Sequence, residues 1–233
     1  MLSRLTQYFL MKHNISINID NNTSLLGFIL YQDQSELALK IDGHKIFETK
    51  SSVVLELSND KVLKCLKIRH WTEYHKLLLG KNRAKEEVFS NYKMREIGLK
   101  VPRIKYYGIF SNIFNRREFS SFYCMETIPS DYSPGDSVFN TLSNAAKKAF
   151  TTSLSSDLSA LKNGKYVYSD LSLRNFMLNS KGEYYWIDTQ IKKYSKKNKF
   201  KRKFNYSLHR FINDPLLILS TEESSVLNSL VIR

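Results

Sequence analysis

The chain has 233 residues, 42% hydrophobic and 13% aromatic, enough apolar content to bury a core within one domain of two lobes. Its formal charge of +14, from 36 basic and 22 acidic residues, speaks against cationic ligands and for an anionic partner such as nucleic acid, acidic lipid or a phosphorylated glycan. Only Cys65 and Cys124, both in apolar runs, and five scattered histidines argue against a disulfide framework and a zinc motif, leaving a reducing compartment as the expectation.

Phe9-Leu10-Met11 is too short an apolar run for a signal peptide, and no window approaches the roughly 20 apolar residues of a membrane span. The expectation is a soluble or peripheral, cytoplasmic protein. Residues 1–44 suggest a strand or two that pad a small lobe, with no chemistry assigned. From His44 onward β-formers cluster at 45–50, 53–57 and 62–68, with Ser58-Asn59-Asp60 as a turn, which reads as three antiparallel strands. Lys64 and Lys67 lie on the third, where a lysine ordinarily occupies the solvated face. No G-x-G-x-x-G separates the first two strands. Thr49-Lys50-Ser51-Ser52 stands there instead, and its amides and hydroxyls would cover a phosphate less closely than glycine.

Residues 70–97 are helical in pattern, broken at Gly80 and capped by Gly98. In the second piece Val88, Tyr92, Met94 and Ile97 form the expected apolar stripe, preceded by Glu86 and Glu87. Carboxylates at a helix N-terminus are favoured by the dipole in any case. Two further strands follow, about 104–110 and 119–125, around a loop at 112–117. Met125-Glu126-Thr127 reads as a hinge and residues 130–136 as a loop. Leu142, Ala146, Phe150, Leu154, Leu158 and Leu161 then recur at helical spacing, and Asn163-Gly164 ends that helix.

Residues 166–189, YVYSDLSLRNFMLNSKGEYYWIDT, carry the chemistry. Asn175 lies five positions after Asp170, the D-x-x-x-x-N spacing of a kinase catalytic loop, and Asp188 lies thirteen beyond Asn175. Two short apolar runs flank Asn179-Ser180-Lys181-Gly182-Glu183 and read as a hairpin, which would set Asn175 and Asp188 at one end of a sheet. Two oxygen ligands there suit Mg2+, which completes its shell with phosphate and water. Asp170 is then free to orient and deprotonate an acceptor hydroxyl. Alone, D-x-x-x-x-N is a common loop pattern. The second Asp, the strands and the preceding helix give it weight. In that company Lys64, with Lys67 in reserve, becomes the candidate for the α- and β-phosphates of ATP. Glu87, with Glu86 its nearest competitor, becomes the carboxylate that holds the lysine. The backbone of Glu126 and Thr127 would meet the adenine edge.

The run Arg83-Ala84-Lys85-Glu86-Glu87, then Ile97-Gly98-Leu99-Lys100-Val101-Pro102, resembles the R-A-x-x-E … L-G-x-x-V-P signature of bacterial lipopolysaccharide core kinases. Ser169-Asp170-Leu171, Asn175-Phe176 and Trp186-Ile187-Asp188 resemble their catalytic stretch, and the likeness spans roughly residues 45 to 212. The resemblance implies an α+β, protein-kinase-like fold of two lobes, a small antiparallel β lobe over 1–127 and a short, mostly helical lobe over 128–233. It implies transfer of the γ-phosphate of ATP to a heptose or Kdo hydroxyl of the inner core. Asp170 would be the base, Asn175 and Asp188 the Mg2+ ligands, and Lys64 with Glu87 the phosphate-positioning pair. Tyr168 stands where His is frequent, Ser169 where Gly or Arg is usual, Ser172 where His or Lys is common, and Thr189-Gln190 replaces Phe-Gly. No departure removes a ligand or the base, so activity is expected, slowed by the missing cation at Ser172 unless Arg174 substitutes.

Downstream, residues 192–203 hold eight basic residues in twelve, interleaved with Tyr194 and Phe200: Lys192, Lys193, Lys196, Lys197, Lys199, Lys201, Arg202 and Lys203. Such a run is ordinarily a solvated segment, and it also fits RNA or membrane. Following the metal Asp, where a kinase places its acceptor-facing loop, it is expected to dock the lipopolysaccharide acceptor or the anionic inner-membrane surface, with no nucleic acid involved. Each basic residue near such a surface contributes about 1 kcal/mol. Only 45 residues follow Asp188, too few for a peptide-gripping activation segment, which favours a glycan or small-molecule acceptor. An aminoglycoside- or choline-type phosphotransferase is the runner-up enzyme, and a non-catalytic kinase-like scaffold is the rival from another class.

Overall fold

A computed structural model describes residues 13–19, 23–32, 40–57, 60–78, 82–110 and 119–232. The chain divides into two units, one comprising the described residues up to Val88 with Arg103–Thr127, the other Phe89–Pro102 with the chain from Ile128. Phe89–Pro102 belongs to the second unit because Met94, Leu99 and Val101 are part of its core.

The first unit is built on seven strands: β1 (His13–Ile19), β2 (Thr23–Gln32), β3 (Lys40–Glu48), β4 (Ser52–Leu57), β5 (Lys61–Lys67), β6 (Ile104–Phe110) and β7 (Phe119–Glu126). They close a barrel in the order β1-β2-β6-β7-β5-β4-β3. Every pairing is antiparallel except the closing one, where β1 runs parallel to β3 with Ile17 opposite Ile41. The expected small antiparallel lobe is therefore a closed barrel, and the N-terminal strands do more than pad it: they cover both edges that five strands would leave open. Register shifts in the β2–β6, β3–β4, β5–β7 and β6–β7 pairs supply the extra bend that closure needs. Inside, alternate residues interdigitate, among them Ile15, Ile17, Val53, Leu55, Leu63, Cys65, Phe122 and Cys124. Gly27 is required where β2 passes this core: a Cβ there would lie 2.8 Å from both the Ile109 carbonyl oxygen and the Phe122 ring.

On the opposite face of β5, Leu66 packs with Ala84, Ile104, Tyr107 and Tyr123. Ala84 opens α2 (Arg83–Glu96), which follows the shorter α1 (Trp71–Leu78). The buried face of α2 runs through Ala84, Glu87, Ser90, Asn91 and Met94, so it carries three polar residues. Asn91 Nδ2 donates to the Pro102 carbonyl at 2.9 Å. Tyr92, expected in the apolar stripe, is instead exposed, as is Phe89. A stripe with polar members is invisible to a hydrophobic count. Gly98 ends the helix at φ +89°, the left-handed conformation that favours glycine at this position.

The second unit is organised on α4 (Asn144–Asn163), N-capped by Ser143, whose hydroxyl accepts from the Ala146 amide. Before it lie β8 (Ser133–Pro134) and α3 (Gly135–Val138). After it come β9 (Tyr166–Tyr168), β10 (Phe176–Leu178), β11 (Tyr184–Trp186), β12 (Ile191–Lys193), α5 (Lys197–Ile212) and α6 (Thr221–Asn228). The strands form a three-stranded sheet, β11-β10-β8, and a ribbon, β12-β9. Phe176 sits 4.5 Å from Trp186, centroid to centroid, within a core that includes Phe150, Leu154, Leu158 and Phe211. Asp157 of α4 ties down β11, accepting from Tyr184 Oη and Trp186 Nε1, both at 2.7 Å.

The basic run is a strand and a helix rather than a loop. Lys192 and Lys193 lie on β12, Lys196 is the N-cap of α5, and the other five are on that helix. Phe200, Phe204, Leu208 and Phe211 recur at helical spacing and give it a buried side. No helix among the described residues is long and apolar enough to cross a membrane.

Candidate active site

In the first unit the alternation of β5 decides which lysine does what. Leu63 and Cys65 point into the barrel, so Lys64 shares the outer face with Leu66, beside α2. Its Nζ lies 3.6 Å from Glu87 Oε2, with Glu87 only 1% exposed and Lys64 14%. Arg83, one turn earlier on α2, places Nη2 3.8 Å from the other carboxylate oxygen. A carboxylate this buried must be compensated, and here two cations share it. Lys64 also stands over the Tyr123 ring at 5.7 Å. The alternatives separate: Lys67 is paired with Glu48, and Glu86 is exposed. Arg83 had no role assigned from the sequence, although its position four residues before Glu87 is the signal for such a pair.

The turn between β3 and β4 is closed on itself. Thr49 Oγ1 accepts from the amides of Ser51 (3.1 Å) and Ser52 (3.0 Å). Those two amides, expected to help cover phosphates, point inward because the Thr49 side chain does the work that glycine conformations do elsewhere. At the hinge, the Glu126 amide donates to the Arg103 carbonyl at 2.9 Å and the Thr127 amide to the Asp60 carbonyl at 3.0 Å. These two donors, expected to meet an adenine edge, are therefore already bonded within the chain. The Glu126 side chain pairs with Lys105 at 2.6 Å.

In the second unit, Phe176 of β10 faces Trp186 of β11, and the Ile187 amide donates to the Asn175 carbonyl at 2.9 Å. Asn175 and Asp188 thus sit at the same end of one hairpin. The other end is held by Asn179 and by Gly182, whose φ of +80° and contact with α4 exclude a side chain: a Cβ would fall 2.0 Å from the Ala146 carbonyl oxygen. Asn175 is buried, and its Nδ2 donates to the Asp170 carbonyl at 2.6 Å and to Asp170 Oδ2 at 3.3 Å. With the amide nitrogen turned to Asp170, its Oδ1 is directed away as an acceptor.

Asp188 adopts φ +55°, a left-handed backbone that a non-glycine residue holds only at a cost. Tyr168 supports it: its hydroxyl donates to the carbonyls of Asp188 (2.8 Å) and Ile187 (3.0 Å). Tyr168 therefore acts as a clasp on the strained turn. Thr189 is buried and Gln190 closes the turn through its amide to the Asp188 carbonyl at 2.9 Å.

Asp170 is exposed, and its Oδ1 accepts from Arg210 Nη2 at 2.9 Å. Arg210 lies on α5, forty residues downstream, and no sequence signal pointed to it. Ser172 is buried, with no partner for its Oγ among the described residues. Arg174 is exposed. The donor set fits a hard divalent cation. Asn175 Oδ1 and the Asp188 carboxylate are both oxygens, and no cluster of three His, Cys, Asp or Glu able to hold a metal occurs among the described residues. Mg2+ is the ion that accepts so few protein ligands.

No protein-family model and no curated protein sequence matches the chain. Among solved structures it is similar to the bifunctional kinase-methyltransferase WbdD, at 15% identity and a TM-score of 0.45 over 77% of this chain and 42% of that one. A high-resolution crystal structure of WbdD gives 18% identity and a TM-score of 0.47 over 78% and 42%. The Cydia pomonella granulovirus kinase PK-1 gives 18% and 0.42 over 65% and 51%. The chain spans less than half the length of those WbdD chains and about half of PK-1.

Proposed function

We propose that the chain is an ATP-dependent phosphotransferase whose acceptor is a sugar hydroxyl, specifically a heptose of the lipopolysaccharide inner core. The observation that carries the reading is the placing of Asp170, Asn175 and Asp188 at one hairpin end, with Tyr168 clasping the strained backbone of Asp188. The buried Glu87, shared by Lys64 and Arg83, supports it from the other unit. The heptose and the core glycolipid come from the sequence resemblance alone.

In this reading Asp170 accepts the proton of the acceptor hydroxyl as that oxygen bonds to the γ-phosphorus of ATP and the bond to the ADP oxygen breaks. Lys64, kept in place by Glu87, neutralises the α- and β-phosphates. Asn175 and Asp188 hold Mg2+, which when bound screens the charge of the phosphate oxygens. The basic residues of β12 and α5 face an anionic acceptor or the inner-membrane surface, where the protein works peripherally from the cytoplasmic side without nucleic acid.

A second reading, a non-catalytic kinase-like module, is favoured by one observation: the amides of Ser51, Ser52, Glu126 and Thr127 are all spent within the chain. Incubating the purified chain with Mg-ATP and dephosphorylated core oligosaccharide separates the two. Mass spectrometry is expected to find a gain of one phosphate, abolished in Asp170→Ala and Asp188→Ala. Absence of both nucleotide binding and product favours the module.

A further inference from the structure

One turn of α5 is registered against the catalytic loop. Ser207 Oγ donates to the Tyr168 carbonyl at 2.5 Å, and Arg210 Nη2 donates to the Ser169 carbonyl at 3.0 Å and to Asp170 Oδ1 at 2.9 Å. Three consecutive residues, ending on the candidate base, are thus read by a single helix. Both Arg210 bonds use Nη2. Its Nη1 and Nε make no bond among the described residues, leaving N–H donors on a fixed cation that can each bond an anion singly.

Going back along the helix from Arg210 by steps of three and four gives Tyr206, Lys203 and Lys199, all exposed, with Arg202 flanking them. These four lie within about 60° of one another around the helix and extend about 16 Å along it. The helix contains no acidic residue, and among the described residues neither Lys199 nor Lys203 pairs with a carboxylate. Cations in its first turn also oppose the helix dipole. Within the fold the stripe's cations are offset only in part, by Asp170 beside Arg210 and by the Tyr194 ring 5.7 Å from Lys199 Nζ, and an anion of matching length would relieve the rest. Tyr206, 65% exposed, sets one flat ring between cations one turn away on either side.

We propose that the Lys199–Lys203–Tyr206–Arg210 face of α5 binds an anionic sugar chain, a glycan bearing carboxylate or phosphate groups, and delivers it to Asp170. The proposal rests on the reading of Asp170 as the base for a sugar hydroxyl and adds the acceptor's path and charge. Tyr206 is the one exposed ring of the stripe, Tyr194 lying half-buried against Lys199, and one exposed ring suits stacking on one sugar, whereas single-stranded nucleic acid is gripped by a succession of aromatic rings. An anionic lipid surface would need a band of apolar side chains along the stripe, and Tyr206 is its one aromatic residue. Arg210 is the clamp that touches both the acceptor's charge and the base.

The test is equilibrium binding of the full chain to labelled oligogalacturonate and to a phosphorylated oligosaccharide, each beside its neutral counterpart. At least one anionic form is expected to bind about tenfold more tightly than its neutral partner. Arg210→Gln and the double variant Lys199→Glu/Lys203→Glu should each lose about tenfold, with Arg210→Lys recovering part of it. Tyr206→Ala should weaken binding where Tyr206→Phe does not. Lys76→Glu/Lys181→Glu, the same charge change elsewhere, should move it less than about twofold. Thermal melts check that each variant is folded. Equal affinity for charged and neutral sugars, or equal loss in the Lys76/Lys181 variant, overturns the proposal. So does a stripe-dependent preference for an oligothymidylate or for anionic phospholipid vesicles over the glycans. Asp188→Asn separates this from the phosphotransfer reading: it should abolish transfer and leave glycan binding intact. Binding without any transfer keeps the track and sinks the enzyme.

Discussion

The Tyr168 hydroxyl lies 2.8 Å from the backbone carbonyl of Asp188, a residue held at φ +55°. That bond secures the conformation that aims the carboxylate of the candidate metal ligand. Removing the hydroxyl alone in Tyr168→Phe should cost about 1 kcal/mol of stability, the net worth of a hydrogen bond, and leave the ring contact with Trp186 in place. The informative result is a disproportionate loss elsewhere: weaker Mg2+-dependent nucleotide binding by calorimetry. A variant with the stability loss and unchanged Mg2+ dependence would make Tyr168 purely structural.

Glu87 is buried against Lys64 and Arg83. Lys64→Met leaves the carboxylate to Arg83 and should destabilise the first unit by about 2 kcal/mol, less than stripping a buried charge of every partner. Adding Glu87→Gln to Lys64→Met should restore part of that loss. Urea titration of the two variants and the wild type checks it.

Gly182 has neither the room nor the dihedral freedom for a side chain. Gly182→Ala should cost about 3 kcal/mol, because the strained backbone and the collision with the Ala146 carbonyl act together. A melting temperature within a degree of wild type would contradict the described packing of the hairpin on α4.

Burial holds the Asp157 carboxyl above its ordinary value of 3.8, although the bonds from Trp186 and Tyr184 pull the other way. Because the folded state holds this proton more tightly, the contribution to stability is complete below the unfolded value and is lost as pH rises through the folded one. Asp157→Asn keeps an oxygen for both donors and removes the charge. Its stability relative to wild type should therefore climb from about pH 4 upward and then level off. Thermal melts across that range are the measurement, and a pH-independent difference would contradict the burial effect.

Burial pushes the Cys124 thiol up to about 11 and raises Cys65 as well, both inside the barrel. Neither should react with a thiol reagent at pH 8 until the barrel opens, so labelling should track urea unfolding. Fast labelling in native buffer would contradict the described core.

Much of the candidate site was legible in the residues themselves. The Asp170–Asn175 spacing, the hairpin strands and the long helix are local patterns, written in turn residues and in periods of two and 3.6. Three features were not. The barrel closure joins strands far apart in sequence, and the weak pattern of residues 1–44 carries no mark of which edges it covers. The buried face of α2 differs from the expected stripe because Glu87, Ser90 and Asn91 occupy it, each with a partner that only the fold brings near. Arg210 is one basic residue among 36, and its contact with Asp170 exists because Phe204, Leu208 and Phe211 turn α5 to that orientation.

By itself, then, the order of residues determined which elements form and which side chains could bear charge at a site, since helix, strand and turn preferences act over a few positions. Only the tertiary structure decided which of those charges meet. Lys64 joins Glu87 while Lys67 joins Glu48, and Arg210 reaches Asp170, because a charge is paired by whatever packing places within a few ångströms of it.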